Sequence, residues 1–376
     1  MGKGHLTYFK VENFKRFDSL ELNDIGQFNL IVGDNNVGKT SVLEALQVDF
    51  YAPEIIYNYH KTLSFRGINL NVTRILEADN FISLNYPSEN YFDYLLKHKS
   101  KALTIKFKIT GFDEGIFIDS AGNLNLNNPG EFCFDFVKPD KTDSTLVRGP
   151  FKIKVPQLKK ENQIFDIHQD DINSAFQNRQ LPIITTKIKK SEDIFNDFQK
   201  NISKSRKLRD EFIDNLKFII PKIEEIQSLE IGNVDTLSIG IKGEDEFMPL
   251  TIFGEGTQRA VEILIEILRN KNARLFIDEI DTGIHYSRMK GFLKNILSLA
   301  QKNDVQLFLT THSLECQQSF AEVFENPDMV EYQSKVRQFS LIEKPDGHVV
   351  ANMHNFEQLQ HALEIGYDTR GGKRGW

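Results

Sequence analysis

The clearest chemical signal in the chain is a glycine-rich loop that ends in lysine and threonine. Residues 33–40 read G-D-N-N-V-G-K-T, between an apolar run at 28–32 and a helix-forming segment at 41–46. This order directs backbone N–H groups at a phosphate, with the Lys39 ammonium on the β- and γ-phosphates and the Thr40 hydroxyl on Mg²⁺. The residues expected to hold a nucleotide are Gly33, Asp34, Asn35, Asn36, Val37, Gly38, Lys39, Thr40 and Ser41.

A pair of acids after another apolar run supplies the groups that this loop requires. Residues 275–277 are Leu-Phe-Ile, and Asp278 and Glu279 follow directly. Mg²⁺ keeps several waters and takes few carboxylates, so Asp278 is the expected metal ligand alongside Thr40. Glu279 would orient or deprotonate the water that attacks the γ-phosphate. The two motifs predict an enzyme that hydrolyses ATP, with ATP and Mg²⁺ as its cofactors.

A third apolar run ends in a histidine. Residues 305–311 read V-Q-L-F-L-T-T and lead into His312. In open α/β sheets, ligand-binding groups gather at the carboxyl ends of the parallel strands. Lys39, Glu279 and His312 each follow such an end, so a single site can hold all three side chains.

Two glycines in front of a helix give a weaker signal for anion binding. Gly254 and Gly256 flank Glu255 before an apolar helix at 260–268, with Arg259 between them and that helix. Backbone N–H groups at the start of a helix attract anions. The segment precedes the acidic pair closely in the chain, which favours a role in the same site.

Positioning these groups requires a parallel α/β core, and the rest of the chain adds other structure. Alternating apolar residues at 103–110, 131–137 and 151–155 predict an antiparallel β lobe. Residues 191–216 have the spacing of an amphipathic helix, and strands are expected at 223–241 around a turn at Gly232 and Asn233.

The expected divisions of the chain follow from these patterns. Residues 1–50 and 226–352 form the two parts of the nucleotide-binding head, and 51–225 form the β lobe and a helical insertion. Residues 353–376 form a terminal helix and a basic tail that ends in Trp376.

Composition bounds the class of protein. A chain of 376 residues with 40% hydrophobic content is long enough for a large core with an insertion. The net charge of -7 argues against a generally basic nucleic-acid coat and leaves a local basic groove open. Cys133 and Cys316 are the only cysteines, which favours a reducing cytoplasm. No apolar run of about 18 residues is present, so no membrane span is expected.

The opening stretch resembles the start of ABC-type ATPases of the SMC and RecF group. Those proteins have an N-F-K-x-F turn before a G-x-N-x-x-G-K-[ST] loop, and residues 13–17 and Asn35 match that pattern here. Residues 254–259 resemble the G-x-G-x-x-R signature of OLD-family (overcoming lysogenization defect) ATPases. Phe253 stands where ABC transporters and SMC proteins have Ser, which fits the OLD-like group better.

This resemblance implies an α/β fold: a P-loop NTPase of the ABC-type ATPase head, with an antiparallel β lobe and a helical insertion. It also implies a homodimer or higher homo-oligomer in which two heads sandwich two ATP molecules. His312 would sense the γ-phosphate, and Asp281 or His285 would cross the interface from the family's D-loop. The expected catalytic residues are Lys39, Glu279 and His312. The signature residues expected to complete the partner's site are Gly254, Glu255, Gly256 and Arg259.

The sequence allows three functions. No heptad repeat is sustained, so the coiled-coil arm of SMC proteins is not expected, and the 64 residues after His312 are too few for the nuclease domain of full OLD nucleases. The first interpretation is an ATPase that senses or regulates a separate nuclease-like or toxin-like effector in bacterial anti-phage defence. The second is a RecF-like repair ATPase that binds duplex DNA, and the third is a scaffold that binds ATP without hydrolysing it. The basic side chains that favour DNA binding are Lys200, Lys204, Arg206, Lys207 and Arg209.

Overall fold

The structure is a computed structural model that describes residues 4–48, 94–110, 181–231 and 234–370. It also describes residues 55, 58–59, 61–63 and 66, and strands at 73–76, 82–85, 131–137 and 152–154. The expected turn at Gly232 and Asn233 and the tail residue Trp376 lie outside the described residues.

A six-stranded sheet forms the centre of the nucleotide-binding part. Its strands are β3 (Phe28–Gly33), β9 (Ile183–Ile184), β13 (Arg274–Ile277), β14 (Gln306–Thr311), β15 (Val336–Glu343) and β16 (Val349–Asn355). They lie in the order β16-β15-β3-β14-β13-β9, and all neighbours are parallel except the β15–β16 hairpin. The carboxyl ends of β3, β13 and β14 therefore meet at one edge of the sheet.

An antiparallel sheet of five strands forms the β lobe. Its strands are β1 (Leu6–Phe14), β2 (Phe17–Leu22), β6 (Leu103–Ile109), β7 (Glu131–Val137) and β8 (Lys152–Lys154), in the order β2-β1-β6-β7-β8. A separate pair is formed by β4 (Thr73–Leu76) and β5 (Ile82–Asn85). The antiparallel lobe is confirmed, and the first two strands of the chain belong to it.

Seven α-helices with assigned ends lie among the described residues. They are α1 (Lys39–Ala45), α2 (Ser191–Asn201), α3 (Arg206–Leu216), α4 (Glu255–Arg269), α5 (Tyr286–Lys302), α6 (Leu314–Val323) and α7 (Phe356–Glu364). The helical segment predicted over 191–216 consists of two helices, because the Ser205 side chain accepts a hydrogen bond from the Leu208 N–H at 3.3 Å and starts a new helix there.

A third sheet accompanies helices α2 and α3. It contains β10 (Ile223–Ile231), β11 (Val234–Ile241) and β12 (Met248–Pro249), all antiparallel. The helices pack against this sheet and against α4. Within 51–225, the short strand β9 belongs to the central sheet, so the expected insertion also supplies part of the nucleotide-binding head.

The central sheet is buried on both faces, and the alternation of side chains along each strand divides it between two cores. Leu30, Leu275 and Leu307 contribute to the core shared with α4, α5 and α6. Ile31, Phe276 and Phe308 face the core shared with the β lobe and α1, where the rings of Phe276 and Phe308 stack at 5.2 Å. A strand covered on both faces is apolar along its whole length, which explains the uninterrupted runs in the sequence.

No helix among the described residues is long and apolar enough to cross a bilayer.

Candidate functional site

The loop between β3 and α1 has the backbone conformation that its glycines permit. Gly38 caps α1 with φ of 107°, in a region that residues with a Cβ rarely adopt. A Cβ at Gly38 would also lie 2.7 Å from the Arg16 side chain and 2.9 Å from the Phe17 ring. The loop therefore packs against the turn between β1 and β2, which explains why the two motifs occur together in the sequence.

Lys39 lies within this loop. Its ammonium donates hydrogen bonds to the carbonyl oxygens of Gly33 at 2.8 Å and Asp34 at 2.9 Å. Burial lowers the pKa of Lys39, and the nearby carboxylates of Glu279 and Asp278 act in the opposite direction. The Lys39 ammonium is thus held at the loop by backbone carbonyls and is a charged donor that the loop can offer to a phosphate group.

The phosphate loop and the acidic pair meet directly. The Thr40 hydroxyl donates to one carboxylate oxygen of Asp278 at 2.8 Å, and the Thr310 hydroxyl donates to the other at 2.7 Å. The hydroxyl of Thr40 and the carboxylate of Asp278 are the oxygen ligands that Mg²⁺ takes at a nucleotide site. No group of three or more His, Cys, Asp or Glu able to hold a metal occurs in the described part of the chain. This donor set fits Mg²⁺ that is completed by phosphate and water oxygens.

Glu279 is held in position through its backbone. Its N–H donates to the Thr310 hydroxyl at 2.7 Å, and its φ of 47° lies in the left-handed region. Such a conformation is uncommon for a residue with a side chain and persists only where the surroundings impose it. Its carboxylate is half-buried and accepts a bond of 3.4 Å from the Thr282 hydroxyl. Thr310 thus fixes both acids of the pair from the neighbouring strand.

His312 follows β14 at the same edge of the sheet, and its side chain is exposed. Ser313 caps α6, because its hydroxyl accepts a hydrogen bond from the Cys316 N–H at 3.1 Å. The carbonyl of His312 accepts a bond of 3.2 Å from the guanidinium of Arg370, near the C-terminal end of the described residues. Lys39, Glu279 and His312 therefore all follow strand ends at one edge of the sheet, as predicted.

The signature segment has one exposed side and one packed side. Gly254 and Glu255 are exposed at the start of α4. Gly256 packs against the loop after the acidic pair, where an added Cβ would lie 2.1 Å from the carbonyl oxygen of Gly283. Gly256 is thus required for close backbone packing, and Gly254 and Glu255 are the members of the motif that face outward.

Arg259 points into its own subunit. It is 2% exposed, and its guanidinium donates to the carbonyls of Thr185 at 2.6 Å, of Glu279 at 3.2 Å, and of Asp278. A guanidinium bound to three carbonyls of its own chain does not reach a partner. This corrects the expectation that Arg259 closes the partner's site: the residue instead connects α4 to β9 and to the acidic pair.

The two residues expected to cross an interface differ in their surroundings. The Asp281 carboxylate accepts a hydrogen bond of 2.7 Å from the Thr311 hydroxyl, so it is fixed to the end of β14. His285 is exposed and caps α5, where its Nδ1 lies 2.8 Å from the Ser287 hydroxyl. Of the two, His285 is the one whose side chain faces outward.

Several residues of the site carried no recognised signal in the sequence. A cleft of about 240 Å³ beside Asp278 is lined by Thr40, Glu44, Arg66, Ile183, Thr185, Thr186, Lys187 and Asp278. Arg66 forms an ion pair of 2.8 Å with Glu44, which is 1% exposed, and also donates to the Ser41 hydroxyl at 3.2 Å. Residues 185–187 reach the cleft because β9 pairs with β13, and a strand of two residues is too short to recognise by periodicity.

The fold and this site define the protein as an ABC-type ATPase with a phosphate loop. Comparisons with known proteins give the same class. Residues 152–315 match the family described as "AAA domain, putative AbiEii toxin, Type IV TA system". These matches and the motifs support a relation to the SMC, RecF and OLD group of ABC-type ATPases.

Individual relatives are distant. An "ATP/GTP phosphatase" of Helicobacter pylori is 22% identical, with 94% of this chain and 97% of that protein covered. An "OLD nuclease" of Thermus scotoductus is 22% identical over 82% of this chain, which spans only 59% of that protein. Among solved structures, an Smc head domain from Pyrococcus furiosus, bound to the C-terminal domain of ScpA, covers 97% of this chain and 100% of that chain with a TM-score of 0.50 and 12% identity. That last likeness concerns the fold alone.

Proposed function

We propose that the protein binds Mg²⁺–ATP at residues 33–41 and hydrolyses it to ADP and phosphate. The observation that carries this proposal is the 2.8 Å hydrogen bond between Thr40 and Asp278, with Glu279 next in the chain. A loop for phosphates, two oxygen ligands for a divalent ion and a carboxylate for water are the parts that phosphoryl transfer requires. The relation to an ATP/GTP phosphatase over nearly the whole length supports the same reaction.

Each residue has a defined task in this reaction. Lys39 and the N–H groups of the loop hold the phosphates, and Glu279 accepts a proton from the attacking water. The water oxygen forms a bond to the γ-phosphorus while the bond from that phosphorus to the bridging oxygen of ADP breaks. His312 binds the γ-phosphate from the end of β14. When bound, Mg²⁺ offsets negative charge on the β- and γ-phosphates.

Two copies of the chain close over two nucleotides in this proposal. Gly254 and Glu255 are exposed at the start of α4, a helix of 15 residues. The backbone N–H groups at such a helix start attract a phosphate of the nucleotide that is bound to the other copy. A cleft of about 430 Å³ beside this segment is lined by Asp281, Ile284, Tyr286, Met289, Ser313, Glu315 and Cys316. Two large apolar side chains on this side, Ile252 and Tyr286, are 67% and 72% exposed, which supports burial against another copy.

The cellular role that we propose is regulation of a separate effector in anti-phage defence. Its support is the matched family, whose description names a putative AbiEii toxin and a type IV TA system, and the partial match to an OLD nuclease. In this role the ATP-bound oligomer restrains or releases a nuclease-like or toxin-like partner in the cytoplasm.

The test uses the purified full chain and the variant Glu279→Gln. We expect phosphate release from ATP in Mg²⁺ to fall at least about 100-fold, because the amide cannot accept the proton of the attacking water. ATP binding is retained, and the variant accumulates as an ATP-dependent oligomer in size-exclusion chromatography with light scattering. The matched control is Glu322→Gln, at an exposed acid on α6 whose partner is Lys290, and it turns over at the parent rate.

Two outcomes would contradict the enzymatic part. One is hydrolysis by Glu279→Gln at the parent rate. The other is a phage-protection assay in which Glu279→Gln protects cells as well as the parent does while Lys39→Ala does not, which indicates a scaffold that only binds ATP.

DNA binding is a second candidate, favoured by the exposed basic side chains on and between α2 and α3. Lys200, Lys204, Arg206, Lys207 and Arg209 are all exposed. A cluster of this kind neutralises phosphates of duplex DNA in a salt-dependent manner.

A further inference from the structure

The end of the described chain returns to the nucleotide site. After α7, residues 365–370 return to the start of α6, where they contact the turn that contains His312. Thr369 is 2% exposed, and its hydroxyl donates to the side-chain oxygen of Gln317 at 2.7 Å. Gln317 is fully buried and donates to the Ser313 carbonyl at 3.3 Å. Thr369 is thus anchored beneath the turn that carries His312 and Ser313.

Arg370 is held by its neighbour and contacts the turn itself. Its Nε and Nη2 donate to the two carboxylate oxygens of Asp368, each at 2.8 Å, in a bidentate pair. The remaining Nη1 donates to the His312 carbonyl at 3.2 Å. A guanidinium fixed in a fork by one carboxylate presents its other nitrogen in a defined direction. The contact to His312 therefore follows from the geometry of the pair with Asp368.

The charge of Arg370 also lies near the phosphate loop. Asp368 raises the pKa of Arg370 most strongly, and the carboxylates of Asp34 and Glu315 act in the same direction. Asp34 is the second residue of the loop, so the guanidinium and the loop are within electrostatic range of each other. The side chain of Arg370 remains 31% exposed on this side of the molecule.

We propose that Arg370 is a positioning residue of the ATPase site, which fixes the peptide of His312 and thereby directs its imidazole toward the γ-phosphate. The inference rests on the proposed function and extends it to residues 367–370, a segment far from all the nucleotide motifs in sequence. His312 is exposed, so few contacts other than its own backbone determine where its ring points. Removal of the guanidinium leaves the His312 carbonyl without this contact and lets the turn rotate.

The test compares Arg370→Ala, Arg370→Lys and His312→Ala in the full chain. We expect Arg370→Ala to lower kcat about 10-fold while ATP affinity, measured by fluorescence with a labelled nucleotide, changes less than about twofold. Arg370→Lys restores part of the rate, because lysine can donate to the carbonyl but cannot form the bidentate pair with Asp368. Lys217→Ala, at a side chain that is 51% exposed directly after α3 and pairs with Asp214, is the matched control and leaves kcat unchanged.

The double variant Arg370→Ala/His312→Ala separates positioning from a general structural effect. If Arg370 acts through His312, the double variant is no slower than His312→Ala alone. Equal kcat for Arg370→Ala and the parent, or losses that multiply in the double variant, would overturn the inference.

A second measurement does not depend on turnover. In histidine-labelled protein, Arg370→Ala shifts or broadens the NMR signals of the His312 ring, assigned by their loss in His312→Gln. Unchanged ring signals would contradict the inference even in a protein that hydrolyses ATP. A parent protein that does not hydrolyse ATP, combined with shifted signals, would contradict the proposed function and leave the positioning contact supported.

Discussion

Thr40 and Asp278 are 238 positions apart in the chain and are joined by a hydrogen bond of 2.8 Å. The contact exists because β3 and β13 are both neighbours of β14 in a parallel sheet, which brings the ends of their strands to one edge. A hydroxyl and a carboxylate at this distance can bind the same small cation. Thr40 and Asp278 would hold Mg²⁺ through these two oxygens, and the ion would offset negative charge on the phosphates.

Asp278→Asn tests the metal site. The amide keeps the size of the side chain but removes the charge that holds Mg²⁺, so we expect hydrolysis to fall at least about 100-fold. In the parent protein, EDTA lowers both turnover and ATP affinity, whereas in the variant EDTA changes ATP affinity little. Isothermal titration with ATP, with and without Mg²⁺, measures both effects. Parent turnover that persists in excess EDTA would refute the metal assignment.

Thr310→Val tests how the acidic pair is positioned. The Thr310 hydroxyl donates to Asp278 and accepts from the N–H of Glu279, each at 2.7 Å, and the residue is fully buried. Valine has nearly the same shape but leaves that N–H and one carboxylate oxygen without these partners, at a cost of about 1–3 kcal/mol. We expect kcat to fall about 10-fold or more with a smaller change in KM, in steady-state assays. Thr310→Ser keeps the hydroxyl and recovers most of the rate; equal losses in both variants would assign the effect to packing.

The parts of the site that could be predicted from sequence are those with fixed local spacing. The loop at 33–40, the pair Asp278 and Glu279, and His312 each follow an apolar strand, and parallel pairing makes such ends converge. The resemblance of these motifs to those of ABC-type ATPases implies the fold class, which is confirmed.

The remaining parts depend on information that spacing does not contain. The position of Arg259 on a helix was readable, but the direction of its side chain was not, and the guanidinium binds within its own chain. The sequence predicts Gly256 as part of an anion site, whereas its close approach to Gly283 follows from tertiary packing. Thr185 and Arg370 reach the site through a two-residue strand and a terminal segment, neither of which has a periodic pattern.

Lys15 predicts a dependence of stability on pH. Its side chain is 10% exposed and lies 2.6 Å from Glu44, and burial lowers the pKa of Lys15 from 10.5 to about 8 despite that partner. Between these values the unfolded chain holds a proton that the folded chain has released, so raising the pH favours the folded state. Across the full pH interval between the two pKa values, the free energy of unfolding increases by at most about 3 kcal/mol.

The measurement compares the parent with Lys15→Met in urea at pH 7.5, 9 and 10. Subtracting the variant removes the other groups that titrate in this range. We expect the stability of the parent relative to Lys15→Met to increase steadily as the pH rises above about 8. A difference that stays constant across the three pH values would show that Lys15 titrates normally in the folded protein.

The exposed basic residues on and between α2 and α3 predict how the binding of duplex DNA depends on salt. If all five contact phosphates, the logarithm of the binding constant falls with the logarithm of salt concentration with a slope of about −4 to −5, since each contact contributes about −0.9. Lys204→Gln/Lys207→Gln then reduces the magnitude of that slope by about 2 for any DNA sequence.

The matched control is Lys290→Gln/Lys294→Gln on α5, where the two lysines are 51% and 39% exposed and pair with Glu322 and Asp328. Fluorescence anisotropy with a labelled duplex, from 50 to 200 mM salt and with or without ATP, gives the slopes. Equal slopes for the parent and both double variants would exclude this surface as the DNA contact, and a slope that depends on ATP would connect the basic surface to closure of the nucleotide site.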